Sequence, residues 1–322
     1  MFDCHYDLLT YILMKKKEKD FLKSYCKKVY RKDNITGGIF NLFYMTEKEM
    51  KEEIGIEKEE INVIENLKEA KEFIESNQLV DKEIKYIFGI EGLDYLEKIE
   101  DLDLLYSLGL RSTNPVWNNQ NKFGGGAKTD NKVGLTKLGV KLIEKLVQKR
   151  IAIDLSHANV STFWDIVHLC KEMKKSGKDP IVFASHSNAK AICNVPRNLT
   201  DEQIFAIKEL GGVIGVVSIK RFCIDTRDVC NSNINFEQKY IDNINYIKNL
   251  LGGIDNIAVA TDDMKYYYIE PEYYQNANIY LHSEVKEKLQ NTLSKNNYQK
   301  EEIEKILEEN FIEKVWKRLW KM

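Results

Sequence analysis

Two short apolar runs, Ile151–Leu155 and Ile181–Ala184, are each followed by Ser-His, and they constrain the fold more than any other stretch. Both are rich in β-branched residues and too short for helices, so they read as buried strands of a parallel sheet. Ser161 to Gly177, between them, has helical length and a glycine stop, which makes the unit βαβ. His157 and His186 then fall at the carboxyl ends of neighbouring parallel strands. In barrels and open α/β sheets alike, chemistry is placed at that end. A single histidine there is more often structural; two at equivalent places of consecutive units argue for a site.

The rest of the chain repeats the alternation. Phe2–Asp7 is a strand-like opening whose alternation points His5 and Asp7 to one side. Leu8–Arg31 reads as a helix, Gly38–Met45 as a strand, and Thr46–Asn77 as a long charged helical stretch. Lys85–Ile90 is a third strand, followed by Glu91-Gly92, a carboxylate at a sharp turn. Leu93–Leu108 reads as a helix ended by Gly109, and Arg111–Asn114 as a short fourth strand. Pro115–Asp130, with Trp117 and three consecutive glycines, is a loop over the strand ends. Leu135–Arg150, Asp201–Leu210 and Phe236–Leu251 are helices; Val213–Ser218 and Ile257–Thr261 are strands seven and eight, the latter running into Asp262-Asp263. Two amphipathic helices close the chain from Ser283 to Met322. Eight strands alternating with helices, without a nucleotide-binding glycine fingerprint, predict an α/β fold, a (β/α)8 TIM-type barrel with a C-terminal helical hairpin. A distorted or incomplete barrel is the alternative, because strands two and four are weakly marked.

Composition narrows the function. The chain has 322 residues and a formal net charge of −2, which gives no electrostatic case for nucleic acid or an anionic membrane. No apolar run approaches the ~20 residues of a membrane span. Only four prolines and no Ser/Gly/Pro-rich linker occur, so residues 1–322 are expected to form one domain. Met1 leads directly into Asp3-Cys4-His5 with no basic-then-apolar leader, and a cytoplasmic location is expected. The six cysteines include no CxxC pair. Cys223 and Cys230 could bridge, but reduced thiols suit a cytoplasmic chain better.

On the barrel reading, His5, Asp7, Glu91, His157, His186 and Asp262 lie at the carboxyl ends of five strands, facing one mouth. Three imidazoles and three carboxylates suit Zn²⁺ or a similar divalent ion. They exceed one four-coordinate site, so a carboxylate such as Glu91 could bridge two ions, and Asp262 would be free to move a proton. Arg197, beyond strand six, is a sensible anchor for a carboxylate through paired N–H donors, with a structural ion pair as the alternative.

At these residues the chain resembles the renal, or membrane, dipeptidase family of binuclear zinc peptidases on amidohydrolase-type barrels. The matching stretches are DCHYDLL, GIEGLDYL, LGLRSTNPVWNNQN, GLTKLGVKLIEKLVQKRIAIDLSHAN, PIVFASHSNAKAICNVPRNLTDEQIFAIKELGGVIGV and IAVATDD, in family order across nearly the whole chain. The resemblance implies a zinc-dependent dipeptidase with two Zn²⁺ per chain and a metal-bridging water or hydroxide, other divalent ions being acceptable. His5 and Asp7 would hold one ion, His157 and His186 the other, and Glu91 would bridge them. Asp262 would handle the proton, and Arg197 would hold the substrate's carboxylate. Dipeptides are the implied partners, and a homodimer contact is the alternative role for the apolar face Ile303, Ile306 and Leu307 of the closing helices.

Three positions depart from the family pattern. Many members carry a carbonyl-polarising histidine after strand four, where this chain has NPVWNNQN; Asn119 is the candidate donor in its place. Val217-Ser218-Ile219 replaces an Asn-aromatic run after strand seven. Ala260-Thr261-Asp262-Asp263-Met264 replaces Gly-Ser-Asp-Phe-Asp-Gly after strand eight. These motivate two alternatives: a metal hydrolase of another small amide or lactam, and a catalytically impaired metal-binding homologue.

Overall fold

The structure, a computed structural model, describes residues 1–43, 62–224, 228, 233–263 and 277–321. Six parallel strands pair in chain order: β1 (Phe2–Tyr6), β2 (Gly37–Phe43), β3 (Lys85–Glu91), β4 (Leu110–Asn114), β5 (Ala152–Asp154) and β6 (Val182–Phe183). A parallel pair, β7 (Ile214–Val217) and β8 (Ile257–Ala260), continues the curl. One parallel bridge, Ala184 to Ile214, links β6 to β7. At the far side β8 comes back beside β1, where the Asp262 amide donates to the His5 carbonyl at 3.0 Å. The architecture is α/β with a curled parallel sheet, consistent with a distorted barrel.

The register is irregular where β1 meets β2 and where β3 meets β4, so the two weakly marked strands both take part in the distortion. β2 pairs with β3 along its whole length, and β4 is a proper strand between β3 and β5. The short element is β6, two residues long. Beyond it Ser185 and His186 leave the ladder, and a side chain replaces it: the Ser185 amide donates to Asp154 Oδ1 at 2.9 Å.

Helices cover the outside: α1 (Leu8–Lys15), α2 (Lys19–Val29), α3 (Val63–Asn77), α4 (Leu102–Leu108), α5 (Lys137–Lys149), α6 (Val160–Lys175), α7 (Asp201–Glu209), α8 (Phe236–Leu251), α9 (Val285–Lys295) and α10 (Lys300–Glu304). Side-chain caps set the starts of several of them. Thr136 accepts from the Gly139 amide, Asn159 from Thr162, Thr200 from Gln203 and Asn235 from Gln238. The predicted helix Leu8–Arg31 is two helices. α1 buries Leu8, Leu9, Tyr11 and Ile12, and α2 buries Leu22, Tyr25, Cys26 and Val29; the Lys15–Lys19 run between them has no apolar side chain to bury, so the chain turns. The predicted helix Leu93–Leu108 begins only at Leu102, after a 3₁₀ turn at Ile99–Asp101. The first part of the expected Thr46–Asn77 helix, together with Cys230 and Met264, lies outside the described residues.

The sheet interior is filled by Phe2, Cys4, Ile39, Ile87, Ala152 and Phe183 among others, and closed below by the last helical segment. That segment continues α10 through π-helical turns at Lys305–Glu309 and Ile312–Trp316 to Lys317–Leu319. Phe311 stacks on Phe2 at 4.3 Å between ring centroids and meets Phe183 edge-on. Ile303, Ile306 and Leu307 are buried, so the apolar face read from the sequence packs inward. Among the described residues no helix is long and apolar enough to cross a membrane.

Candidate metal centre

Six side chains predicted at the strand ends come together at one end of the sheet. Glu91, the last residue of β3, is the hub: its Oε1 lies 2.7 Å from His157 Nε2, 3.1 Å from His186 Nε2 and 3.6 Å from His5 Nε2. Gly92 follows at φ +80°, which lets the chain turn away at once. Asp7 Oδ1 lies 3.4 Å from His5 Nε2. Although Asp7 is the residue before α1, its side chain makes no cap hydrogen bond and turns to the centre instead. His5, Glu91 and His186 form one group whose ligand atoms lie within 4.8 Å of one another, and His5, Asp7 and Asp262 form a second. His157 and Asp262 adopt left-handed backbone, φ +71° and +44°, an unfavourable conformation for residues with a Cβ. Such strain persists where the surroundings impose it, and it concentrates at functional sites.

The hydrogen-bond chemistry of this cluster suits a cation. His157 Nδ1 sits 3.0 Å from Asn118 Oδ1, an acceptor, so the ring proton is on Nδ1 and Nε2 carries a lone pair. His186 Nδ1 sits 2.6 Å from Ser185 Oγ, whose own proton goes to Asp154 Oδ2, so this ring also presents a bare Nε2. The two Nε2 atoms are 2.9 Å apart, and both face Glu91 Oε1. Three acceptors converging at these distances repel one another unless a cation stands among them. His5 Nε2 is buried and has no hydrogen bond of acceptable geometry. The donor set therefore fits divalent metal, with imidazole nitrogen and carboxylate oxygen as ligands.

Charge follows the same logic. Burial lowers the His157 imidazole to about 3, with the nearby Arg197 adding to the effect, and burial likewise holds His186 well below the usual range. Burial pulls His5 down too, but Glu91 and Asp7 outweigh it and raise this ring well above 6.5. Burial penalises Glu91, yet His5 and His157 hold its carboxyl well below the usual range. Burial pushes Asp7 up to about 7 and Asp262 up to about 6, in both cases against the pull of His5. In the metal-free chain Glu91 and Asp7 favour the protonated form of His5.

Arg197 stands beside the centre. Its Nη2 donates to the His186 carbonyl at 3.4 Å, its guanidinium lies 5.5 Å from the Phe222 ring, and its buried Nε has no hydrogen-bond partner. Burial lowers it to about 10, opposed by Glu91 and Asp262. It makes no ion pair with any described residue. On the loop after β4, Asn119 is exposed, whereas Asn118 reaches His157 and Trp117 lies 5.7 Å from the same ring. Ser218, at the strand-seven departure, is buried and donates to the Thr261 and Tyr280 carbonyls.

Sequence reasoning did not single out the residues beneath the candidate ligands: Asp3, Asn41, Asn118, Asp154, Ser185, Thr261 and His282. A signal was present for two of them, since Asp3 and Asp154 are charged residues inside strand segments that are otherwise apolar. Asp3 accepts from the His5 and Thr261 amides, from Thr261 Oγ1 at 2.5 Å and from His282 Nδ1 at 2.6 Å.

A family model described as membrane dipeptidase (peptidase family M19) matches residues 1–321. An uncharacterised protein from the pqqA 5′ region of Klebsiella pneumoniae is 36% identical over 190 residues, covering 56% of this chain and 66% of that protein. One from the PQQ-III 3′ region of Acinetobacter calcoaceticus is 38% identical over 143 residues, covering 42% and 43%. The chain thus spans two thirds or less of the length of these curated relatives. A crystal structure of a metallo peptidase from Rhodobacter sphaeroides, liganded with a phosphinate mimic of the dipeptide L-Ala-D-Ala, superposes with a TM-score of 0.73 at 22% identity, covering 98% of this chain and 99% of the other. That likeness carries the fold.

Proposed function

The chain belongs to the membrane dipeptidase family, peptidase family M19, and from that premise we propose that it is a zinc-dependent dipeptidase, cytoplasmic and built as one (β/α)8 barrel domain with a closing helical hairpin. The observation that carries the reading is the convergence of bare His157 Nε2, bare His186 Nε2 and Glu91 Oε1 within 3.1 Å of one another. His5 and Asp7 would hold one Zn²⁺, His157 and His186 a second, with Glu91 between them. Bound zinc supplies Lewis acidity toward a carbonyl and an attacking water acidic enough to react near neutral pH.

The chain's own residues do the rest. Asp262, with its carboxyl near 6, would take the proton of the attacking water and deliver it to the leaving amine. Arg197, with a buried unpartnered Nε, would fix the substrate's terminal carboxylate through its planar fork. A pocket that grips the carboxylate at one end and the scissile carbonyl at the other favours dipeptides over proteins. Asn119 is the proposed donor from the loop after β4, and Asn118 orients His157.

One observation favours a second reading, hydrolysis of another small amide or lactam. Ser218 is turned away into backbone bonds, and the loop after β4 presents Trp117 and asparagines in place of a histidine. Elemental analysis, together with hydrolysis of dipeptides carrying L- and D-second residues, tests both. Close to two zincs per chain and dipeptide turnover that is lost in Asp262→Asn are expected. Two zincs with turnover only of lactams or acyl-amino acids would establish the second reading. Bound zinc with no turnover of any of these would mark an impaired homologue. No stoichiometric divalent metal after reconstitution would overturn the proposal.

A further inference from the structure

We propose that Asp154 and Ser185 form a proton-ordering pair that keeps the His186 proton on Nδ1 and so turns its Nε2 lone pair into the metal centre. The inference rests on the metal reading above and concerns residues behind the ligands, which act through His186.

Asp154 is the last residue of β5 and is buried. Its Oδ1 accepts the amides of Ser156 at 3.0 Å and Ser185 at 2.9 Å, and its Oδ2 accepts the Ser185 hydroxyl. Burial raises the Asp154 carboxyl, and the hydrogen bonds from Ser185 and Ser156 oppose that rise; as the ionised, acceptor-only carboxylate it commits the single hydroxyl proton of Ser185 to itself. Ser185 Oγ is left as an acceptor, and His186 Nδ1 at 2.6 Å must bring the proton. The same Oγ lies 3.2 Å from His5 Nδ1, which also contacts Asn41 Nδ2 at 3.0 Å. One carboxylate buried behind the sheet end thus sets the direction of a chain of bonds that finishes at the metal-facing nitrogen. A second-layer partner of this kind fixes the tautomer and orientation of a metal-ligating histidine.

The fold builds the same carboxylate–hydroxyl clamp a second time. Asp3 on β1 accepts the amide two residues on, at His5, and both the amide and the hydroxyl of Thr261 on the neighbouring strand. In each copy the clamped hydroxyl residue immediately precedes a residue of the centre, Ser185 before His186 and Thr261 before Asp262. The copies differ in what the hydroxyl faces. Thr261 Oγ1 lies 3.3 Å from His282, which is outside the centre, whereas Ser185 Oγ faces a ligand imidazole. Only the β5–β6 copy orders the proton of a proposed ligand.

Asp154→Asn tests this with nearly unchanged shape. To keep the two amide bonds the Asn oxygen must stay on the Ser156 and Ser185 N–H groups, so its NH₂ must donate to Ser185 Oγ. The hydroxyl proton is then driven toward His186 Nδ1, and the ring proton moves to Nε2. Every bond is kept and the polarity is reversed. In the metal-free protein, ¹⁵N NMR of the imidazole rings should show His186 protonated on Nδ1 in wild type and on Nε2 in Asp154→Asn. Zinc affinity by chelator competition should weaken about 10–100-fold. Ser185→Ala, which removes the acceptor without reversing anything, should weaken zinc less than Asp154→Asn does; a merely structural role predicts the opposite order, because Ser185→Ala loses bonds that Asp154→Asn retains. Should Asp154→Asn fail to fold, Ser185→Ala still decides: a wild-type zinc affinity with a single His186 tautomer overturns the proposal. A His186 tautomer unchanged in folded Asp154→Asn also overturns it. If the tautomer moves but wild type itself takes up no zinc, the proton ordering stands and the metal reading falls.

Discussion

At the scale of single residues, the centre is a set of groups whose protonation in the metal-free chain is set by one another. His5 is held well above 6.5 because Glu91 and Asp7 outweigh its burial, and burial brings Asp7 up to about 7. Both groups therefore hold protons near neutral pH that a metal must displace. Zinc affinity should rise with pH between about 6 and 8, with protons released to buffer at pH 7. Calorimetry in buffers of different ionisation enthalpy reads the release directly, and a pH-independent affinity with no release would contradict the account. Asp262→Asn removes the proposed proton carrier while keeping the shape; turnover should fall about 10²–10⁴-fold with zinc stoichiometry unchanged. A variant retaining wild-type turnover would remove Asp262 from the mechanism.

At the scale of elements, the strand ends aim the candidate ligands, and their turns are constrained. Gly92 at φ +80° ends β3 one residue beyond Glu91; a Cβ there would lie 2.9 Å from Asp94 Oδ2 and 3.1 Å from Trp117 Cβ. Gly92→Ala should destabilise by about 1–2 kcal/mol from the left-handed backbone alone. It should also weaken zinc, because relief of the contact moves Glu91; urea titration with and without zinc separates the two effects. The strand and helix assignments were largely legible because the apolar periodicity and the Thr and Asn caps are local signals. Where the assignment differed, as at the break between α1 and α2, the charged run offered no apolar residue to pack, and packing decided the boundary.

At the scale of the whole molecule, the last helical segment plugs the end of the sheet opposite the centre. Phe311, Val315 and Leu319 are buried against the interior residues of the strands, and Arg318 ties the segment to Asp179 at 2.5 Å and to the Pro180 carbonyl at 2.8 Å. Phe311→Ala should cost about 3–5 kcal/mol of unfolding free energy, since it empties the stack on Phe2 and Phe183. Its zinc stoichiometry should stay at the wild-type value below the transition, because the plug and the ligands are at opposite ends. A loss under about 1 kcal/mol, less than the usual deletion of a buried aromatic side chain, would show that the segment does not carry the interior packing.

The sequence by itself determined the parallel α/β plan, the strands that end in candidate ligands, and six of the side chains that meet at the centre. Each of these is encoded locally, by apolar runs of strand length and by polar residues placed just beyond them. Only the tertiary structure decided that β6 would be the short strand, that Asn118 and not its neighbour would hold His157, and that Asp154 would reach Ser185 on the next strand. Those choices depend on which atoms from distant segments come within hydrogen-bond distance. A loop without periodicity, such as 115–134, carries no one-dimensional signal for a difference of one residue in aim. The buried aspartates stood out in the sequence only as charges within strands; what they bind was not legible, because their partners come from segments 31 and 258 positions away.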